Sequence, residues 1–296
     1  MKLTQVKGRT WVAEGLELIP FYRLDDGRCI LLDTGFSREG DELEQTLLDA
    51  GLTPAAILGS HVHLDHAGNH ARFQKTYGLP VALTAAEAGL CNHILNLKCY
   101  TSVGTPAGAR REMGPMPMDT DIILPNADCT ATLLGVDFRC IYTPGHSPGH
   151  ICIITPDNVC YVGDILLSGQ LLHAKLPYCL DLVTDLASKQ RLLELDCDRY
   201  IAAHRGIFDD IRATVDKNLS LMRQRAAQIC SVVDRTMTFS QINAAACALL
   251  DVHPQTARRA MGLETSMRFF VEYLVDTGAL EPCVQDNIIC YKPAKT

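Results

Sequence analysis

The chain lacks several features that would place it directly in a class. It has no uninterrupted run of roughly 18 or more apolar residues, so a membrane-spanning helix is not expected. Its first residues, MKLTQVKGRTWVAEG, lack the basic-then-apolar order of a secretory signal peptide. No internal repeat or low-complexity segment occurs. We therefore expect a soluble globular protein in the cytoplasm, without membrane contact.

Closely paired cysteines are also missing. The 13 cysteines are scattered, and no two form a C-x-x-C arrangement. Several, such as Cys152 and Cys290, have apolar neighbours in the sequence. The chain length disfavours a disulfide framework, and the spacing disfavours a thiolate metal site. Reduced, partly buried thiols are expected.

An excess of basic residues is missing as well. The formal net charge is −7, and residues 1–210 hold 17 Lys and Arg against 26 Asp and Glu. Residues 211–296 hold 10 against 8. An acidic first part attracts phosphate backbones poorly, which argues against nucleic acid as the main partner.

Strand-like and helix-like segments alternate over residues 1–210, and many strands follow one another directly. RCILLDTG, AAILGS and RYIAAHRG are typical buried strands. SREGDELEQTLLDAG has helical periodicity, with Ser37 as the candidate N-cap and Gly51 as the end. Residues 91–120 have an irregular pattern, which predicts a loop or a small helical insertion. We expect this segment to lie near the functional site, because such loops commonly carry the groups that select a substrate. The pattern indicates a layered α/β protein.

The sequence changes character after residue 210. A long amphipathic helix, two further helices and a hairpin turning at QDN predict a winged-helix-like domain over 211–296, after a catalytic domain over 1–210. Its third helix, LETSMRFFVEYLVDTG, carries one Arg against two Glu and one Asp. We therefore favour a pocket wall or a homodimer contact over nucleic-acid recognition for this domain.

The densest motif is HVHLDH, which contains His61, His63, Asp65 and His66. At the end of a strand, residues two apart project to one face, so His61 and His63 can chelate one ion. Asp65 and His66 can face a second point nearby. Imidazole and carboxylate without thiolate suit zinc, with iron or manganese as alternatives.

The motif H-x-H-x-D-H after an apolar strand resembles that of the metallo-β-lactamase superfamily. LLDTG, TPGHSPGH, YVGD and IAAHRG are similar to the other family motifs, in the family's order, and supply Asp33, His146, Asp164 and His204. The resemblance covers about residues 1–210. It implies a four-layer αββα sandwich, here followed by the helical, winged-helix-like C-terminal domain.

The resemblance also implies a set of ligands. One metal would be held by His61, His63 and His146, and the other by Asp65, His66 and His204. Asp164 would bridge the two, and Asp33 would support the ligands from behind. Two Zn²⁺ ions, with Fe or Mn as alternatives, would hold a bridging hydroxide that attacks the substrate, and Asp65 would orient it or take its proton.

The ligand set narrows the implied activity. Classical antibiotic-hydrolysing members replace either the second-motif histidine or the bridging aspartate, whereas His66 and Asp164 are both present here. What remains resembles glyoxalase II, lactonases and acyl-thioester hydrolases. We predict a metallohydrolase that cleaves a small acyl ester, thioester or lactone.

Three other functions stay open at this point. They are a metal-dependent endoribonuclease of the two-domain lactamase-like type, a mononuclear iron oxygenase, and a metal-binding regulatory protein acting through its C-terminal module. Candidate substrate contacts are Arg205, which stands where many relatives have glycine, with His173 and Tyr178. His150 is interpreted as a packing residue, and His70 as a solvated helix residue.

Overall fold

Strands dominate the first two thirds of the chain and helices the last third. The computed structural model describes residues 1–101 and 104–294. The strands are β1 (Lys2–Lys7), β2 (Thr10–Glu14), β3 (Leu18–Arg23), β4 (Arg28–Leu32), β5 (Thr53–Leu58), β6 (Val81–Thr84), β7 (Ile122–Leu124), β8 (Cys129–Leu133), β9 (Val136–Tyr142), β10 (Ile151–Ile154), β11 (Val159–Gly163), β12 (Arg199–Ala202), β13 (Gly206–Phe208), β14 (Met237–Thr238), β15 (Leu280–Gln285) and β16 (Ile288–Pro293). The helices are α1 (Gly40–Asp49), α2 (His70–Tyr77), α3 (Ala85–Cys91), α4 (Ile94–Thr101), α5 (Pro106–Met113), α6 (Leu182–Arg191), α7 (Arg212–Ser231), α8 (Phe239–Leu249) and α9 (Ala257–Asp276).

The strands form two large sheets and one small one. The first sheet has the order β1-β2-β3-β4-β5-β6-β7, antiparallel up to β4 and parallel from β4 to β7. The second has the order β13-β12-β11-β10-β9-β8 and is antiparallel except for the β11–β12 pair. The small sheet has the order β14-β16-β15.

Alternating side chains show how these sheets stack. In β4, Cys29 and Leu31 join the apolar cluster beneath helices α1 to α5, whereas Ile30 joins a cluster shared with the second sheet. In β11, Tyr161 joins that shared cluster, whereas Cys160 faces the cluster under α6 and α7. Since strand side chains alternate between faces, each sheet is covered on both sides. The predicted four-layer αββα sandwich is confirmed.

The C-terminal helices continue the outer layer of the second sheet. Val215 of α7 and Phe270 of α9 belong to the same buried cluster as Val162 of β11. Asp286 and Asn287, both with positive φ, form the predicted tight turn between β15 and β16. The winged-helix-like character of this region and the division at residue 210 stay predictions.

Of the two predicted boundaries of helix α1, one is confirmed and the other is wrong. Gly51, at φ 70°, follows α1 as predicted, but Ser37 as its N-cap was wrong. Ser37 begins a 3₁₀ turn that ends at Glu39 and leads directly into α1, so it lies inside the first helical turn instead of preceding it. The predicted insertion at 91–120 contains α4 and α5, and its residues 102–103 lie outside the described residues. None of the described helices is both long and apolar enough to cross a membrane.

Candidate metal centre

The motif residues meet where strands of both sheets end. Asp33 follows β4 and His61 follows β5, and these two strands run parallel. Asp164 follows β11 and His204 follows β12, which are also parallel. Carboxyl ends of parallel strands lie at one edge of a sheet, so each pair of motifs is brought together by the fold.

Three histidine nitrogens form the first cluster. His63 Nδ1 lies 3.0 Å from His61 Nε2 and 2.9 Å from His146 Nε2. These separations are close to the roughly 3.3 Å between ligand atoms around a tetrahedral zinc with Zn–N bonds of about 2.0–2.1 Å. The three nitrogens all lie within 4.8 Å of one another and could hold one metal ion.

The second cluster contains two histidines and two aspartates. His66 Nε2 lies 3.3 Å from Asp164 Oδ1, and His204 Nε2 lies 2.9 Å from Asp164 Oδ2. Asp65 Oδ2 is 3.9 Å from His204 Nε2. Asp164 Oδ2 is also 3.7 Å from His146 Nε2 of the first cluster, so this carboxylate lies between the two.

The polar atoms of the second cluster fit a metal ion. His66 Nε2 and Asp164 Oδ1 are buried without a hydrogen-bond partner, although they face each other. Leaving such groups buried and unpaired is costly. A cation bound between them would satisfy both, and imidazole with carboxylate is a ligand set suited to zinc, iron or manganese.

Asp33 contacts the motif histidines, directly or through Ser60, on the side away from the two clusters' facing atoms. Its carboxylate accepts hydrogen bonds from His66 Nδ1 at 2.8 Å, from the Tyr161 hydroxyl at 2.7 Å, and from the backbone and hydroxyl of Ser60. The Ser60 oxygen lies 3.0 Å from His61 Nδ1. Asp33 therefore contacts His66 directly and His61 through Ser60. Ligand atoms of Asp33, His61 and His66 also lie within 4.8 Å of one another, but the four hydrogen bonds that the Asp33 carboxylate already accepts favour the supporting role predicted for it.

Glycines shape the turns that carry two of the candidate ligands, His146 and Asp164. Gly145, at φ 124°, precedes His146, and a Cβ there would lie 2.3 Å from the backbone of Asp185. Gly163, at φ 51°, precedes Asp164, and a Cβ there would lie 2.6 Å from His150 Nε2. Both positions need glycine because of the backbone conformation and the close neighbour.

The first cluster favours neutral imidazoles. Burial lowers the pKa of His63 to about 4, and lowers the pKa of His61 and His146 well below the ordinary range, where neighbouring imidazoles act in the same direction. Neutral imidazole is the form that binds metals.

Carboxylates surround the histidines of the second cluster. Burial opposes protonation of His204, but Asp164 and Glu17 outweigh it and raise the pKa of His204 to about 10. Burial likewise opposes protonation of His66, and Asp164 and Asp65 raise its pKa well above the ordinary value. Such carboxylate-rich surroundings attract a cation.

Glu17, which the sequence motifs did not reveal, holds His204. Its Oε2 lies 2.5 Å from His204 Nδ1, on the opposite side of the ring from the cluster. Burial raises the pKa of Glu17, while the contact with His204 opposes this. An acidic residue inside the otherwise apolar run LELIPF was the signal that could have revealed it.

Glu87 was missed in the same way. This buried carboxylate accepts hydrogen bonds from the Val62 backbone at 2.9 Å, the Ser147 hydroxyl at 2.7 Å and the Gly149 backbone at 2.8 Å. It therefore ties the HVHLDH segment to the loop that carries His146. Its position in the apolar run AAEAGL was the available signal.

The insertion also reaches the site. The Tyr100 hydroxyl lies 2.7 Å from His63 Nε2, and the two rings are stacked with centroids 5.2 Å apart. Tyr178, a predicted substrate contact, packs edge-on against His63 and His146 at 5.3 and 5.5 Å. Both tyrosines thus border the first cluster.

The remaining predicted residues lie in different places. The guanidinium of Arg205 donates to the backbone oxygens of Gly15 and Leu16, and His173 is exposed in a 3₁₀ turn. His150 is buried and accepts a hydrogen bond from the Asp164 backbone at 3.2 Å, in agreement with a packing role.

The interpretation of His70 as solvated was wrong. It is the first residue of α2 and is fully buried, with Nδ1 2.8 Å from the Thr34 hydroxyl. That hydroxyl lies next to Asp33 in the chain. His70 lies on the buried face of α2, which is why its ring is not in contact with solvent, contrary to the prediction.

A cavity of about 320 Å³ opens beside the two clusters. Its lining combines cluster residues with apolar and charged side chains: His63, Leu64, Asp65, Thr101, Glu112, Met113, His146, Asp164, Tyr178 and Arg258. Its size and mixed lining suit a small molecule.

The sequence and the fold are both similar to those of known proteins. The sequence model of the Metallo-beta-lactamase superfamily matches residues 20–204. The probable metallo-hydrolase YqgX of Bacillus subtilis is 29% identical over 151 residues, 50% of this chain and 66% of that protein. An atrochrysone carboxyl ACP thioesterase of Pseudocercospora fijiensis is 24% identical over 250 residues, 83% of this chain and 64% of that protein. This chain thus spans less than two thirds of either relative.

A solved structure agrees with the fold. A metallo-beta-lactamase family protein from Thermus thermophilus superposes with a TM-score of 0.70 at 21% identity, covering 94% of this chain and 93% of that one. The family match spans more than half of the chain and includes all the motif residues from Asp33 to His204. The chain therefore belongs to the metallo-beta-lactamase superfamily.

Proposed function

We propose that this protein is a dinuclear metallohydrolase that cleaves a small acyl ester, thioester or lactone. The observation that carries the proposal is Asp164, whose two oxygens face His66 on one side and His204 and His146 on the other. A carboxylate between two ligand clusters is the arrangement expected for a pair of metal ions.

The residues of the two clusters would have separate roles in metal binding and in proton transfer. His61, His63 and His146 would hold one dication, and Asp65, His66 and His204 the other, with Asp164 shared. Bound dications lower the pKa of water and polarise a carbonyl group. Asp65 borders the cavity and is partly exposed, so it is placed to accept a proton from the attacking water.

The residues that line the cavity support an acyl substrate. Leu64, Met113 and Tyr178 contribute apolar surface to the same cavity as His63, His146 and Asp164. An acyl chain can pack there while its carbonyl group faces the metals. Two relatives, a probable metallo-hydrolase and a carboxyl ACP thioesterase, support the same reaction class.

A substrate panel tests the proposal. One preparation, stripped with a chelator and reconstituted with Zn²⁺, Mn²⁺ or Fe²⁺, is assayed on acyl-thioesters, esters, lactones and RNA. We expect turnover of at least one acyl substrate that disappears on stripping and returns with metal. Cleavage of RNA alone would favour a nuclease, and oxygen uptake with iron would favour an oxygenase; either result would overturn the proposal.

A further inference from the structure

His63 faces the first cluster through Nδ1, and its other ring nitrogen contacts the insertion. Nδ1 lies 3.0 Å from His61 Nε2 and 2.9 Å from His146 Nε2, whereas Nε2 lies 2.7 Å from the hydroxyl of Tyr100. Tyr100 belongs to α4, between β6 and β7. The two nitrogens of this ring therefore have partners of different kinds.

Other motif histidines also have a partner on the ring nitrogen that does not face a cluster. These partners are Ser60 for His61, Asp33 for His66 and Glu17 for His204. For His63 the corresponding partner comes from the insertion and is a neutral hydroxyl. A partner on the outer nitrogen of a metal-binding histidine fixes the position of the ring proton and the orientation of the ring.

We propose that Tyr100 is a positioning residue for the first metal ion. Its hydroxyl oxygen accepts the proton of His63 Nε2, and this keeps the lone pair of Nδ1 directed at the cluster. A neutral imidazole carries one ring proton, so a proton held on Nε2 leaves Nδ1 free to bind a metal. The inference rests on the metal binding of the proposed function and is independent of the substrate.

Ring packing alone does not select this orientation of His63. The Tyr100 ring is stacked on the imidazole, with 10° between the planes and 5.2 Å between the centroids, and Tyr178 packs edge-on at 5.3 Å. A flip of the imidazole about its Cβ–Cγ bond keeps the ring in the same plane but places a carbon where Nδ1 was. Stacking therefore tolerates both orientations, and the contact with the hydroxyl distinguishes them.

The helix that carries Tyr100 is anchored in the core. Tyr100 is 9% exposed, and Leu97, one turn earlier on α4, is fully buried in the apolar cluster beneath helices α1 to α5. The Thr101 hydroxyl donates a 2.8 Å hydrogen bond to Leu97 O. The hydroxyl of Tyr100 is thus held at His63 by a packed element.

Tyr100 also fills space in the core, and matched variants separate this structural role from the positioning role. Tyr100→Phe keeps the ring and its stacking on His63 but removes the hydroxyl. Tyr77→Phe is the control, because the Tyr77 hydroxyl donates a similar 2.6 Å hydrogen bond to Glu44 of α1. Each variant loses one tyrosine hydrogen bond, so urea unfolding of the metal-free proteins should show comparable losses of stability.

Two measurements report on the metal site itself. Competition with a chromophoric chelator gives the affinity for each zinc ion, and NMR of the Co²⁺-loaded protein detects the ring N–H protons of bound histidines and their exchange with water. We expect Tyr100→Phe to bind one zinc ion about tenfold or more weakly than the wild type. One ring N–H should also exchange faster in this variant, whereas Tyr77→Phe should match the wild type in both measurements.

Three results would decide against the positioning role or against the proposed reaction. Zinc affinities in Tyr100→Phe equal to those of the wild type, or equal losses in Tyr77→Phe, would overturn the inference and leave the proposed reaction intact. Tighter zinc binding in Tyr100→Phe would also overturn it, because the hydroxyl would then donate to Nε2 and place the ring proton on Nδ1. A wild type that binds a single zinc ion, with weaker binding in Tyr100→Phe, would contradict the dinuclear reaction and support the positioning role.

Discussion

Glu17 Oε2 lies 2.5 Å from Nδ1 of His204, whose Nε2 faces Asp164 at 2.9 Å. The imidazole is therefore held between two carboxylates. A carboxylate next to one ring nitrogen of a histidine favours the proton on that nitrogen and leaves the other nitrogen as the more basic ligand. We therefore expect the Glu17–His204 contact to favour metal binding at the second cluster.

Glu17→Gln should weaken metal binding at the second cluster. The substitution keeps the shape but removes the charge that holds the ring, and the loss expected for such a supporting group is about 10- to 100-fold in affinity. Competition with a chromophoric chelator measures it, with Glu14→Gln on β2 as the exposed control. Identical chelator curves for wild type and Glu17→Gln would show that this contact does not support a metal ligand.

Asp65→Asn should abolish most of the activity even when metal is saturating. As general base, Asp65 is expected to contribute about 10²- to 10⁴-fold to kcat, and an amide cannot accept the proton. Steady-state kinetics at increasing zinc separate this effect from weaker metal binding. Asp119→Asn, at an exposed position, serves as the control. A kcat within about threefold of wild type would remove Asp65 from the catalytic step.

His70 should make folding stability depend on pH. Burial lowers its pKa from the ordinary 6.5 to about 4, so between these values the unfolded chain binds a proton that the folded chain does not. Stability therefore falls as pH decreases through this window, by up to about 1.4 kcal/mol per pH unit from this group. His70→Gln should be destabilised by about 1–3 kcal/mol at neutral pH, because the Thr34 contact is disturbed, and should show a shallower pH slope.

Urea unfolding of samples with equal metal content, between about pH 7 and pH 5, measures both effects. His253→Gln is the control because its side chain is 69% exposed. If wild type and His70→Gln have parallel slopes, the buried ring is not responsible for the pH dependence.

The sequence predicted those features that are encoded locally. His61, His63, Asp164 and His204 each follow a short buried strand, so the strand pattern alone indicated that they lie at strand ends. The alternation of apolar residues along β4 and β11 likewise underlies the four layers.

What could not be predicted depends on contacts between distant segments. Glu17 reaches His204 because the Leu18 backbone donates a 2.7 Å hydrogen bond to Ala203 O, which joins β3 to the end of β12. Arg258 reaches the cavity because α9 packs beside it. A single sequence does not specify such packing, since neither segment has a local pattern that indicates which distant segment it will contact.

Metal content tests the central claim most directly. Mass-spectrometric elemental analysis of the purified protein, normalised to protein concentration, gives the number of ions per chain. The arrangement of His61, His63 and His146 beside Asp65, His66 and His204, with Asp164 between them, predicts two dications per chain. One iron per chain, or no metal that survives purification and reconstitution, would contradict a dinuclear hydrolase.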